Sequence, residues 1–174
     1  MNCIFAGIRI EALETIKKFF VIKKIYTTKN SRVHISAQKK KLKFVLVNKK
    51  NKDLIFTELK KTKCNIIFSA GFPFIFPKEV LNSFKIKLNS HPSLLPENRG
   101  ASPIKEVYFS KKKKIGVTLH EMTSKVDFGK CIYQDYFLKK NLSLQNVYEL
   151  TFSYLEPLVI IKGLQKKFKN KKIL

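Results

Sequence analysis

Cys3-Ile4-Phe5-Ala6-Gly7-Ile8 is an unbroken apolar run that ends around a glycine, and Glu11–Phe20 follows it with Leu13, Ile16, Phe19 and Phe20 at helical spacing and lysines between. A short continuous apolar run suits a strand buried on both faces, whereas the second stretch repeats with the period of a helix that covers one face. Val21–Tyr26 then returns to the strand pattern. Strand, helix and strand in that order require a crossover connection and parallel pairing, so this stretch decides the fold class as α/β.

The alternation continues outward from that unit. Ser31–Lys41 reads as a short helix, Leu42–Val47 as a strand, Asp53–Lys63 as a helix with Leu54, Ile55 and Leu59, and Asn65–Ala70 as a strand leading into the turn Gly71-Phe72-Pro73. A helix over Pro77–Asn82 and a strand over Phe84–Asn89 come next. From Ser90 to Pro103 prolines, a glycine and polar residues predict a structured loop; Pro103–Ser110 then reads as helix, and Ile115–Met122 and Cys131–Leu138 as strands. Leu144–Lys169 is amphipathic, one long helix or two with a bend near Pro157, and 166–174 forms a basic tail. No repeat or linker divides the 174 residues, so one domain over 1–174 is expected. In such sheets ligands bind beyond the carboxyl ends of the strands, which directs attention to the segments after Asn65–Ala70 and Phe84–Asn89.

Composition narrows the class. Apolar residues make up 44% and aromatic residues 12%, values of a chain that builds a core. No run approaches the length of a membrane span, and the N-terminal apolar run lacks the basic flank and length of a signal peptide, so a cytoplasmic protein without membrane association is expected. The three cysteines, Cys3, Cys64 and Cys131, are scattered without paired spacing, which argues against a disulfide framework and a zinc site. The charge is large: 36 basic residues against 12 acidic, a net +24. Almost all the basic residues are Lys, with Arg only at positions 9, 32 and 99. Phosphate clamps and base readers favour the forked guanidinium, so two explanations stand, compositional bias with solvated lysine faces and selected binding of a polyanion.

The chemistry-bearing residues are few. Asn89 and His91 stand two apart at the exit of a strand, and in an extended chain they face the same side. Asp127 precedes Phe128-Gly129 after a strand, a position that suits a turn-former as well as a carboxylate held for function. His120 lies within the strand Ile115–Met122, where a satisfied sheet histidine is the plain alternative. No phosphate-binding glycine loop, nucleophile elbow or metal-ligand cluster is present. An Asn, His and Asp set without a covalent nucleophile or metal suits attack by a substrate amine on an activated carbonyl, with donors for the oxyanion and a carboxylate to manage protons.

The run Asn89-Ser90-His91-Pro92-Ser93-Leu94-Leu95-Pro96 with Asn98-Arg99-Gly100-Ala101-Ser102-Pro103-Ile104 strongly resembles the signature of the 10-formyltetrahydrofolate-dependent formyltransferases. Gly116-Val117-Thr118-Leu119-His120, Val126-Asp127-Phe128-Gly129 and Tyr133-Gln134 do so too, and weaker similarity runs from Cys3 to about Leu150. The resemblance implies a Rossmann-like, mostly parallel twisted sheet with flanking helices and a long C-terminal helix. It implies 10-formyltetrahydrofolate as co-substrate, without a metal, and Asn89, His91 and Asp127 as catalytic residues. In that scheme Asn89 and protonated His91 hold the oxyanion, while Asp127 positions His91 and takes up the amine proton. The folate would lie against Phe72, Phe74, Ile75 and Phe76 and against Thr123, Ser124, Lys125 and Val126, and the acceptor would meet Gly7, Arg9, Arg99, Gly100 and His120. Phe74 stands where some relatives carry a charge.

The acceptor is the open point. The turn Ala6-Gly7-Ile8-Arg9-Ile10-Glu11 lacks the Gly-rich, Ser/Asn-containing pattern of the glycinamide ribonucleotide enzymes and resembles those acting on tRNA and sugars. The tRNA enzymes add a C-terminal RNA-binding domain that is not seen before Leu174, and they usually lack a histidine at the position of His120. A primary amine on a nucleotide-linked amino sugar is therefore the expected acceptor. Methionyl-tRNA, glycinamide ribonucleotide, and an inactive basic module binding nucleic acid on the same fold are the alternatives. The sequence does not indicate an oligomeric state.

Overall fold

The computed structural model describes residues 1–169. Among the described residues one seven-stranded sheet forms the frame, in the order β3-β2-β1-β4-β5-β6-β7. The strands are β1 (Asn2–Gly7), β2 (Val21–Thr27), β3 (Phe44–Leu46), β4 (Ile66–Ala70), β5 (Ile86–His91), β6 (Lys114–Glu121) and β7 (Cys131–Leu138). The first five pair in parallel, and β6 and β7 run antiparallel at one edge. The helices are α1 (Ile10–Ile16), α2 (Arg32–Lys39), α3 (Lys52–Lys60), α4 (Lys78–Asn82), α5 (Pro103–Phe109), α6 (Leu144–Glu149) and α7 (Glu156–Lys167). The mostly parallel sheet with flanking helices and a long helical C-terminal segment is the expected architecture.

Alternation along the central strands divides the core between the two faces of the sheet. Phe5 and Phe68 turn to one face and pack with Leu13 and Ile16 of α1, Val33 and Ala37 of α2, and Val159, Ile160 and Leu164 of α7. Ile4, Ala6 and Ile67 turn to the other and meet Ile55 and Leu59 of α3, Val80 and Leu81 of α4, and Phe84. Burial of each such large side chain contributes about 1.5–3 kcal/mol, which makes the two apolar layers the main support of the sheet. β4, Ile66-Ile67-Phe68-Ser69-Ala70, is buried at every position, as a central parallel strand covered on both faces must be.

The element boundaries shift where local chemistry outweighs periodicity. α1 ends at Ile16, and Phe19 and Phe20 follow in a turn while still packing into the core. α2 starts after Ser31, whose hydroxyl accepts the His34 N–H at 3.0 Å as an N-cap. β5 runs to His91, two residues beyond its expected end. Ser90 is polar but 1% exposed, held from both sides rather than turned to solvent. The C-terminal segment is one continuous helical path in which Leu150–Leu155 takes π-helical geometry just before Pro157. A widened turn accommodates a proline that has no N–H to give the ladder and whose ring would collide with a tight turn. Of the expected basic tail, Lys166 and Lys167 belong to the last turn of α7, and 170–174 lie outside the described residues.

The sheet reverses its order at β1 and β4, since β2 and β3 lie to one side and β5 to β7 to the other. β1 and β4 approach closely there. A Cβ on Gly7 would lie 2.0 Å from the Ala70 carbonyl oxygen, so only glycine permits this contact. A crevice opens beyond the carboxyl ends of these strands, the usual ligand position in doubly wound sheets.

Candidate active site

Register assembles the polar residues. Ser69 of β4 pairs with Asn89 of β5, and Asn89 pairs with His120 of β6, so three polar side chains stand in one row across three strands. The Asn89 Nδ2 lies 3.1 Å from His120 Nε2. The His120 Nδ1–H donates to the Glu121 carbonyl at 2.8 Å, which turns Nε2 toward Asn89. His91, at the end of β5, donates through Nε2 to the Asn98 carbonyl at 2.9 Å, which presents Nδ1 to the site.

Asp127 completes the arrangement from the loop between β6 and β7. Its φ of 55° is left-handed, a conformation that Asp tolerates better than most residues. The carboxylate stands between the two imidazoles, with Oδ2 3.4 Å from His91 Nδ1 and Oδ1 3.5 Å from His120 Nε2. Oδ2 also accepts the Gly100 N–H at 2.9 Å, and the Asp127 carbonyl accepts Arg99 Nε at 3.1 Å. Burial opposes ionisation of Asp127, but the adjacent His120 ring, the Gly100 N–H and the nearby His91 ring prevail, holding its carboxyl below the ordinary range. Burial likewise disfavours charge on His91; Asn98 and Asp127 offset this only in part, and His91 sits below the ordinary imidazole range. Both shifts favour an ionised Asp127 beside an uncharged His91 near neutral pH.

These groups open into a cavity of about 590 Å³. Asn89, His91 and Asp127 line it together with Phe72, Phe74, Ile75, Phe76, Thr123 and Val126, and so do Arg9, Gly100 and His120. The apolar wall is ordered by ring contacts, Phe72 and Phe76 being stacked with centroids 4.8 Å apart. Gly7, Arg99, Ser124 and Lys125 are outside the lining. Gly7 serves the approach of β1 to β4, while Arg99 and Lys125 lie over the ring of Phe128 at 3.5 and 3.8 Å and brace the loop that carries Asp127. The loop after β5 is pinned to β6, where the Thr118 hydroxyl donates to Ser93 O at 2.7 Å and accepts the Leu95 N–H at 3.1 Å. Gly116 leaves room for this, since a Cβ there would lie 2.3 Å from Leu94 Cγ.

Sequence reasoning missed Ser69, Ser90, Tyr148, Phe152 and Glu156. Tyr148 and Phe152 line the cavity from the C-terminal helical segment, and Glu156, 0% exposed, lies beneath its floor beside Arg9. A lone carboxylate in Leu155-Glu156-Pro157-Leu158-Val159 was the available signal. Among the described residues no group of three or more His, Cys, Asp or Glu is placed to hold a metal ion, and no helix is long and apolar enough to cross a membrane. Cys3 and Cys64 are buried in the core, where burial pushes both thiols up, and neither lines the cavity.

Comparison with known proteins shows the family. The family model described as formyl transferase matches residues 18–149. The chain belongs to the formyl transferase family. A methionyl-tRNA formyltransferase of Wigglesworthia glossinidia brevipalpis is 34% identical over 110 residues, covering 63% of this chain and 33% of that protein. The matched region is thus a third of that relative's length. Among solved structures, phosphoribosylglycinamide formyltransferase from Bacillus halodurans superposes with a TM-score of 0.83 at 20% identity, covering 99% of this chain and 97% of that one. A sugar N-formyltransferase from a Shewanella species gives 0.74 at 22% identity, covering 98% and 71%. Both structures share the fold of this formyl transferase chain.

Proposed function

We propose that this chain transfers the formyl group of 10-formyltetrahydrofolate to a primary amine in the cavity lined by Asn89, His91 and Asp127. The observation that carries the proposal is the Asp127 carboxyl group held between two imidazoles, with the Asn89 amide in the same strand row. The stacked Phe72 and Phe76 with Val126 and Met122 give the cavity a flat apolar side of the kind a bicyclic pterin fits.

Transfer forms a bond from the acceptor nitrogen to the formyl carbon and breaks the bond from that carbon to the folate N10, which takes up a proton as it leaves. The attacking amine must lose a proton, and Asp127 with His91 is the local base pair for it. Uncharged at rest, His91 gains positive charge as that proton arrives, beside the oxyanion forming on the formyl carbon. The Asn89 amide provides a further preoriented donor, and a donor of this sort contributes roughly 2.7–4 kcal/mol of barrier reduction.

For the acceptor, a nucleotide-linked amino sugar is the preferred class. His120 in the lining and the likeness to a sugar N-formyltransferase support it. Methionyl-tRNA is the second reading, favoured by the net charge of +24 and by the methionyl-tRNA formyltransferase relative. Turnover of 10-formyltetrahydrofolate is to be followed by absorbance with amino-sugar nucleotides, charged initiator tRNA and glycinamide ribonucleotide in turn. Turnover with the sugar nucleotide alone is expected. Turnover with charged tRNA alone would replace the acceptor assignment, and none with any acceptor and no folate binding would favour a basic binding module.

A further inference from the structure

Ser90 lies between Asn89 and His91, and with strand alternation its side chain leaves the opposite face of β5. Both polar groups of Ser90 are taken. Its hydroxyl donates to Glu156 Oε1 at 2.6 Å, and its carbonyl accepts Arg9 Nη2 at 2.5 Å. Arg9 Nη1 stands 3.3 Å from the same Glu156 oxygen, and the two side chains are 9% and 0% exposed. Two distant parts of the chain, the turn after β1 and the first turn of α7, thus converge on one residue of β5.

A requirement for stability does not account for this arrangement. Arg9 Nε and Glu156 Oε2 are buried without a hydrogen-bond partner, so the ion pair is incompletely satisfied. Buried pairs of this kind are often matched or surpassed in stability by apolar residues of similar volume. Nor is Arg9 a free cation for a substrate anion, because Glu156 neutralises it and the Ser90 carbonyl occupies Nη2. What the pair does hold is Ser90, whose two peptide bonds lead to Asn89 on one side and His91 on the other.

We infer that Arg9 and Glu156 are positioning residues that act through Ser90 to set the geometry of Asn89 and His91. The inference rests on the function proposed above and gives Arg9 a role other than contact with the acceptor. Misplacement of reacting groups by about 1 Å costs about a hundredfold in rate, so the effect belongs in kcat rather than in binding.

The test is the double variant Arg9→Met/Glu156→Leu, with Ser90→Ala beside it, read by urea unfolding, steady-state kinetics and ¹⁵N NMR of the His91 ring. Expected are a folded protein, a kcat lower by about tenfold to a hundredfold, KM within about twofold for both substrates, and displaced His91 ring signals. Wild-type kcat in the folded double variant would overturn the inference. So would a raised acceptor KM at unchanged kcat, or activity lost only in proportion to folded protein with His91 signals unmoved. If the double variant does not fold, Ser90→Ala removes only the hydroxyl and carries the same readouts. Should the wild-type protein turn over no acceptor, the proposed function fails, and the His91 signals alone decide the inference: displaced supports it, unmoved overturns it.

Discussion

His91 and Asp127 stand 3.4 Å apart, and burial together with this contact shapes their titrations. Burial pulls the His91 pKa below its ordinary value of 6.5, and the Asp127 charge pulls it back part of the way. In a ¹H–¹⁵N titration His91 is expected to protonate below pH 6.5, and Asp127→Asn is expected to move it lower still; an upward move would contradict the assigned coupling. The stability linkage has a definite sign. A histidine depressed in the folded state contributes stability that is complete above its unfolded pKa and is lost as pH falls through the folded value. Asp127, also depressed, contributes stability present above its unfolded pKa of about 3.8 and lost below it. Both groups therefore make acidification destabilising, in separate windows.

At the scale of elements, strand pairing places the site. The closest approach, Gly7 against Ala70, holds β1 and β4 together where the crevice opens. Gly7→Ala is expected to lower unfolding free energy by about 1–3 kcal/mol in urea, since a Cβ there has no free volume. A wild-type urea midpoint with a raised acceptor KM would instead give Gly7 a substrate role. The strands and helices were legible because apolar runs and helical periods are local, and Asn89 and His91 showed their shared side through their spacing alone. The end of β5 was not, since Ser90 is polar in sequence and is buried only by partners 66 and 81 residues away. Tyr148 and Phe152 were hidden for a related reason: which face of a helical segment meets a cavity depends on packing, here through the π-helical stretch before Pro157.

For the whole molecule, the sheet switch point, the cavity and the polar row coincide, and the account depends on that coincidence. The motif residues pointed to this cavity before any geometry, but the lowered His91 pKa and the contacts beneath Ser90 come from burial and from chain segments distant in sequence. Acceptor choice was less legible still, because a charge of +24 is compatible with both a polyanionic partner and solvated lysine faces. The most direct measurement is single-turnover formyl transfer from 10-formyltetrahydrofolate by wild-type protein and Asp127→Asn, with the folate dissociation constant determined for each. The account predicts loss of transfer by about 10²–10⁴-fold in Asp127→Asn with folate affinity nearly unchanged. Transfer at the wild-type rate in Asp127→Asn would contradict it.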